Sequence, residues 1–235
     1  IGGTLNLGSG AGTGTISYAF ANAVTTVDGT VNSGTSTAAA TVSSASATLL
    51  FVNGTWNHTQ NGGTLPTATY ALTSNVNVTG IVGTAPTPPA TIGGNFTWNS
   101  AGQTGTALSL VSTLTTIGGT CTIQSTGSGS MQFGTSPTLA VAGLATVSGG
   151  TVLAAGGTLN FNGGLTLSGG SISALVGAST TSINVNGNYT QNGGTLTSAT
   201  TGTSISLNVT GTFNQSAGTI SQSSTGSLAI GFNGS

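Results

Sequence analysis

The sequence predicts an all-β fold, a right-handed parallel β-helix (β-solenoid) of roughly nine to ten coils of 20 to 26 residues, in one domain over residues 1–235. Three observations predict it. An apolar–any–Gly motif returns along the chain at near-constant spacing, apolar residues around it alternate with polar ones, and the composition favours strands over helices. Thr, Val and Ile suit pleated, half-buried surfaces, whereas abundant Gly, Thr and Ser weaken helices.

The spacing is the strongest of the three. "VNGNYTQNGGTLTS" at 185–198 returns as "VTGTFNQSAGTISQ" at 209–222, a separation of 24 residues. Earlier anchors stand at Ile1, Val27, Val52, Ile92, Ile117, Val141 and Phe161, and a last one at Phe232. Between Val52 and Ile92 the period breaks. The proline-rich "VTGIVGTAPTPPA" there predicts an irregular loop or bulged coil around residues 78–91, because proline cannot donate to a ladder.

Aligned on the anchors, the copies form columns. Val141, Phe161, Val185 and Val209 share the anchor column. Four positions later stand Phe96, Leu165, Tyr189 and Phe213, together with Trp56 and Cys121. A single coil cannot bury its own inner face, but stacked coils share one continuous core, so both columns are expected to point inward. A β-sandwich also offers strands at short intervals but does not require the columns to recur. Gly-Gly pairs such as Gly169-Gly170 and Gly193-Gly194 fit corners that need positive φ.

Composition excludes several classes of function. The chain has no Lys or Arg, one acidic residue (Asp28) and one His (His58), where an ordinary soluble domain is roughly 25% charged. Nothing here neutralises phosphates, so nucleic acid is not an expected partner. No run of about 18 apolar residues occurs, so no helix is expected to span a membrane. With 36% hydrophobic residues the chain has enough apolar surface to fold. The opening "IGGTLNLGSG" resembles the middle of a repeat and carries no charged leader, which reads as a segment of a longer chain.

Candidate chemistry is sparse. Glycoside hydrolysis ordinarily needs two carboxylates, and Asp28 stands alone in a "VDGT" turn. A metal site needs several ligands, which leaves His58 in "WNHTQ" as a surface histidine. Cys121 reads as a small buried hydrophobe with no disulfide partner. No catalytic, metal-binding or cofactor-binding residue is therefore assigned, and neither enzyme activity nor a cofactor is expected. Gln191 and Gln215 occupy a column that is apolar elsewhere (Trp98, Ile123, Val147, Leu167), which points to a stacked amide ladder along the axis. Trp56 and Trp98 fall in core columns, not on sugar-stacking platforms.

Copies such as "INVNGNYTQNGGTLTS" and "LNVTGTFNQSAGTIS" resemble the β-strand repeats of very large bacterial surface proteins. These include filamentous-haemagglutinin-like and autotransporter-passenger adhesins and the Asn/Thr/Gly-rich giant adhesins of Bacteroidetes-type bacteria. The resemblance covers most of the chain. It implies secretion, extracellular display at the cell surface, and adhesion or biofilm-matrix building, and it carries over no binding residue. The expected function is a non-catalytic, structural and adhesive rod or fibre. Its expected partners are further repeats of the same chain or identical subunits end to end, with host or surface glycans. The alternative is a binding module with an ice- or carbohydrate-binding face. Thr-x-Thr pairs at Thr13/Thr15, Thr35/Thr37, Thr104/Thr106, Thr120/Thr122 and Thr201/Thr203 do not follow the coil period, which counts against ice.

Overall fold

Alternating inward and outward residues make short strands here, and each strand pairs with its equivalent one coil away. The computed structural model describes residues 1–8, 16–20, 23–35, 39–110, 113–133, 138–177, 179–198, 203–223 and 225–233. Over these residues the chain is a parallel β-solenoid with no helix.

The first ladder opens with Thr4–Leu7, Thr30–Ser33, Thr55–His58 and Asn75–Val78. It continues through Asn95–Asn99, Cys121–Ser125, Ala145–Val147 and Leu165–Leu167, and ends in two nine-residue strands, Tyr189–Thr197 and Phe213–Ser221. The outermost two of these ten strands pair on one side only, which leaves eight rungs held on both sides. The solenoid has about eight turns, fewer than the nine to ten expected. The end rungs Thr4–Leu7 and Phe213–Ser221 each have a neighbour on one side only, so the number of anchors exceeds the number of turns.

The second ladder carries the anchor column. Phe161 pairs with Val185, Val185 with Val209, and Val209 with Phe232. The third ladder runs from Leu108–Ser109 through Met131–Phe133, Thr151–Ala154 and Ser171–Ala174 into the far halves of the nine-residue strands.

A coil without the anchor motif lies between Val52 and Ile92. Val52 pairs with Tyr70, and Trp56, Val76 and Phe96 follow one another in the next column. From Tyr70 to Asn75 the corner is two residues longer than from Val52 to Thr55, and the surplus places Leu72 and Thr73 at the surface. After Val78 the chain forms no strand until Thr91. Within this span Ile81, Pro86 and Pro88 are buried, and Thr87 bridges to Thr64.

Val141, Phe161, Val185, Val209, Phe96, Leu165 and Tyr189 are all buried, and Phe213 is half-buried against them. Phe213 stacks on Tyr189 with ring centroids 5.0 Å apart and meets Phe232 edge-on at 5.1 Å. Such ring pairs add about 0.5–1.5 kcal/mol each beyond the area they bury. One corner is built from stacked glycines, Gly150, Gly170, Gly194 and Gly218, all at positive φ. A Cβ on Gly170 would run into the carbonyl of Gly150, so only glycine lets consecutive coils approach this closely.

Candidate functional site

Residues between the inward columns of a strand must face outward. On the first ladder this produces a row in register: Asn6, Asn32, Asn57 and Asn77, then Thr97, Thr122, Thr146, Thr166 and Thr190. Its members repeat at the spacing of paired strands, about 4.8 Å.

The two parts of the row behave differently. Asn32 Nδ2 donates to Asn6 Oδ1 at 2.6 Å, Asn57 Nδ2 to Asn32 Oδ1 at 2.7 Å, and Asn77 Nδ2 to Asn57 Oδ1 at 2.9 Å. The amide chain stops at Asn77, because Thr97 follows and brings no amide to donate. The hydroxyls of Thr97, Thr122, Thr146, Thr166 and Thr190 engage no other described residue.

Two positions farther along the strands stand Thr59, Thr79 and Asn99. Between the two rows runs an open groove of about 440 Å³ lined by Asn57, Thr59, Asn77, Thr79, Thr97, Asn99 and Gln124. Gln124 faces the groove by the same alternation, two residues after Thr122, and beside it the register shifts so that Asn99 pairs with Ser125. Bulges often re-aim a side chain beside a functional site and are rare between parallel strands. The Thr59 hydroxyl is committed to the backbone carbonyls of Ser33 and Gly34. The side chains of Thr79, Asn99 and Gln124 have no partner among the described residues. The groove offers amides and hydroxyls and no ionisable group. It is equipped to form neutral hydrogen bonds and has no group for proton transfer.

Axial asparagine bonds recur elsewhere. On the second ladder Asn184 Nδ2 donates to Asn160 Oδ1 and Asn208 Nδ2 to Asn184 Oδ1, at 2.9 and 3.0 Å. At the adjoining corner Asn186 donates to Asn162.

The residues singled out from sequence fall as follows. Gln191 and Gln215 are register partners, but their amides do not form the expected ladder. Gln191 is buried and donates to the carbonyls of Gly194 and Thr219 while accepting from the Tyr189 hydroxyl at 2.9 Å. Gln215 donates to Gly218 instead. The glycine corner offers each amide a nearby carbonyl, and these bonds take the place of an axial one.

His58 is a second correction: it is 0% exposed, not at the surface. It follows Trp56 by two positions and so faces the same inward side. Its Nε2 donates to the Gly62 carbonyl at 2.7 Å, which leaves Nδ1 unprotonated and without a partner among the described residues. Burial lowers its pKa from the ordinary value, with the Gly62 bond acting weakly in the opposite direction. Ser33 Oγ, on the residue paired with His58, and Trp56 Nε1 are also buried without a partner among the described residues. Cys121 is buried, and burial pushes its thiol up to about 12, far from a reactive thiolate. Trp56 and Trp98 are fully buried, and Trp98 Nε1 donates to Gln103 Oε1 at 2.9 Å, so neither is a surface platform. Asp28 accepts from Asn53 Nδ2 at 2.8 Å in an exposed corner.

Of the Thr-x-Thr pairs, Thr120/Thr122 lies on the grooved face, while Thr13, Thr15, Thr37 and Thr201 lie outside the described residues. The outward Asn/Thr row itself escaped the sequence reading. Its signal is present in "TLNL", "TVNS" and "TWNH", where Asn recurs five positions after each anchor. No family model, curated protein or solved structure matches this chain.

Proposed function

We propose that the chain is a non-catalytic, structural and adhesive rod displayed outside a bacterial cell. The observation that carries this reading is the unbroken first ladder: eight doubly paired rungs with a buried core inside and an uncharged amide and hydroxyl row outside. A stack of this kind supplies length and stiffness from short repeats, each coil held by its neighbours. The absence of Lys and Arg removes every trypsin-type cleavage site, which suits an exposed fibre. We take the coils to wind right-handed, as crossovers between parallel strands do in about 98% of cases.

The partners in this reading are further repeats of the chain or identical subunits joined end to end. Among the described residues Phe213–Ser221 is paired on one side only, and Phe232 beside it is 62% exposed. Unpaired edges template further strand pairing. The test is to display the chain on a non-adherent bacterium and count cells retained on glycan-coated and abiotic surfaces. Retention above that of cells displaying the core-disrupted Leu165→Asp chain is expected. Equal retention by the two overturns the reading.

A further inference from the structure

We propose that the groove beside Asn77 and Thr97 binds a neutral, hydroxyl-rich polymer, an uncharged polysaccharide strand lying along the solenoid axis. This rests on the adhesive reading above and names the ligand class for one face of the rod.

Charge decides the first part. The groove residues carry no ionisable group; His58 is enclosed in the core and Asp28 sits in a corner bonded to Asn53. An anionic or cationic ligand would lose hydration here without meeting a counter-charge, which is costly. A neutral ligand pays no such penalty.

Hydrogen-bond inventory decides the second. Asn77 spends its Nδ2 on Asn57, so its Oδ1 remains as an acceptor. The Thr79 and Thr97 hydroxyls donate or accept, and the amides of Asn99 and Gln124 do both. A ligand hydroxyl is also donor and acceptor, so one functional group satisfies every member of this set. The volume of about 440 Å³ lies in the ordinary range for ligand sites.

Two features locate the site at this point of the rod. The amide chain that satisfies Asn6, Asn32 and Asn57 internally ends at Asn77, where the row first becomes free to bind. Exposed Gln124, beside a register shift in the ladder, adds a second unpaired amide at the next rung. Beyond it the Thr122–Thr190 hydroxyls continue the row, presenting the same group at each coil. A regular polymer is the ligand that gains from such repetition, because each added unit binds at high effective concentration. No aromatic ring lines the groove, so a short fragment binds weakly, with a Kd on the order of 1 mM, and affinity rises with length.

The experiment titrates the purified 235-residue chain with neutral glucan and mannan oligosaccharides of increasing length, followed by NMR shifts or calorimetry, with an anionic oligosaccharide in parallel. The expected result is binding of at least one neutral series that tightens with length, and none for the anionic series. The double variant Asn99→Ala/Gln124→Ala should weaken binding at least fivefold with an unchanged circular dichroism spectrum. Thr166→Val should weaken only the longest oligosaccharides. Absence of neutral binding, or full affinity in the double variant, overturns the proposal. Inhibition of ice growth without saccharide binding also overturns it, assigning the row to ordered water. If the displayed double variant still adheres, the groove proposal fails while the adhesive function stands; if the unmodified chain does not adhere, the adhesive function fails.

Discussion

The rung at Thr55–His58 and the rung at Leu165–Leu167 occupy the same ladder, yet they distribute polarity in opposite ways. In the earlier rung, Trp56 and His58 point inward above Ser33, and one polar atom of each residue has no partner. Outside, Asn57 is bonded to the coils on both sides. In the later rung, Leu165 and Leu167 fill the interior and the Thr166 hydroxyl outside engages no other described residue. An unsatisfied buried polar atom costs about 1–3 kcal/mol, while a made hydrogen bond contributes about 0.5–1.5 kcal/mol net. The early coils use axial amide bonds to offset an imperfect interior. The later coils carry their axial amide bonds on the second ladder, at Asn160, Asn184 and Asn208, and leave the outer row of the first ladder free to bind. The solenoid demands only the alternation of inward and outward residues; where the polar groups are satisfied is open to variation.

The sharpest test of this alternation is a charge on either side of one strand. Leu165→Asp places a carboxylate in the apolar interior and should remove several kcal/mol of stability in a denaturant titration followed by circular dichroism. Thr166→Asp, facing out, should cost less than about 1 kcal/mol. Equal losses would show that inward and outward positions are not distinguished here.

The corners separate in the same way. Gly170→Ala combines a φ of +62° with a blocked Cβ position and should cost about 1–3 kcal/mol. Gly177→Ala, at φ +79° with nothing near its Cβ position, should cost only the backbone strain, about 1 kcal/mol. Matching losses would mean that coil-to-coil approach is not limiting at the glycine corner.

Acid should find the early coils first. The fold disfavours the charged imidazole of His58, so the folded state binds fewer protons than the unfolded chain. This contribution is fully present above the ordinary value of 6.5 and is lost as pH falls below it toward the lower folded value. The slope is at most about 1.4 kcal/mol per pH unit for one proton. Hydrogen exchange between pH 7 and 5 should show protection falling around Thr55–Gly62 before it falls around Leu165–Leu167. A uniform decline would remove His58 as the cause.

The smallest contrast lies on the outer row. Asn57→Ala breaks two axial bonds that are only half-buried and should cost about 1 kcal/mol. Thr146→Ala removes a hydroxyl with no partner among the described residues and should change stability by less than about 0.5 kcal/mol. If Thr146→Ala costs as much as Asn57→Ala, the threonine row is structural and its freedom to bind is lost.

The inward columns were legible because burial imposes the same chemical class at every repeat, as at Phe96, Leu165 and Tyr189. The coil anchored at Tyr70 was not legible, since its longer corner displaced the spacing and it lacks the apolar–any–Gly motif. His58 looked like a surface residue because only the fold reveals the Gly62 carbonyl that bonds one side of its ring. The groove was hidden for a different reason. Alignment followed apolar anchors, and the residues that matter outside are those the anchors skip. The bulge at Gln124 left no mark in composition at all.

The parallel ladders also set how the rod carries load. Hydrogen bonds between successive rungs run along the axis, so tension applied from end to end pulls directly on one coil's bonds before those of the next. Such loading peels instead of shearing, one loop of about two dozen residues at a time, at a force limited by the weakest rung. Where the axial amides of Asn6, Asn32, Asn57 and Asn77 reinforce the backbone, each peeling step must break a side-chain bond as well. The asparagine runs, on the first ladder early in the chain and on the second ladder at Asn160, Asn184 and Asn208, therefore stiffen the coils they cross against tension.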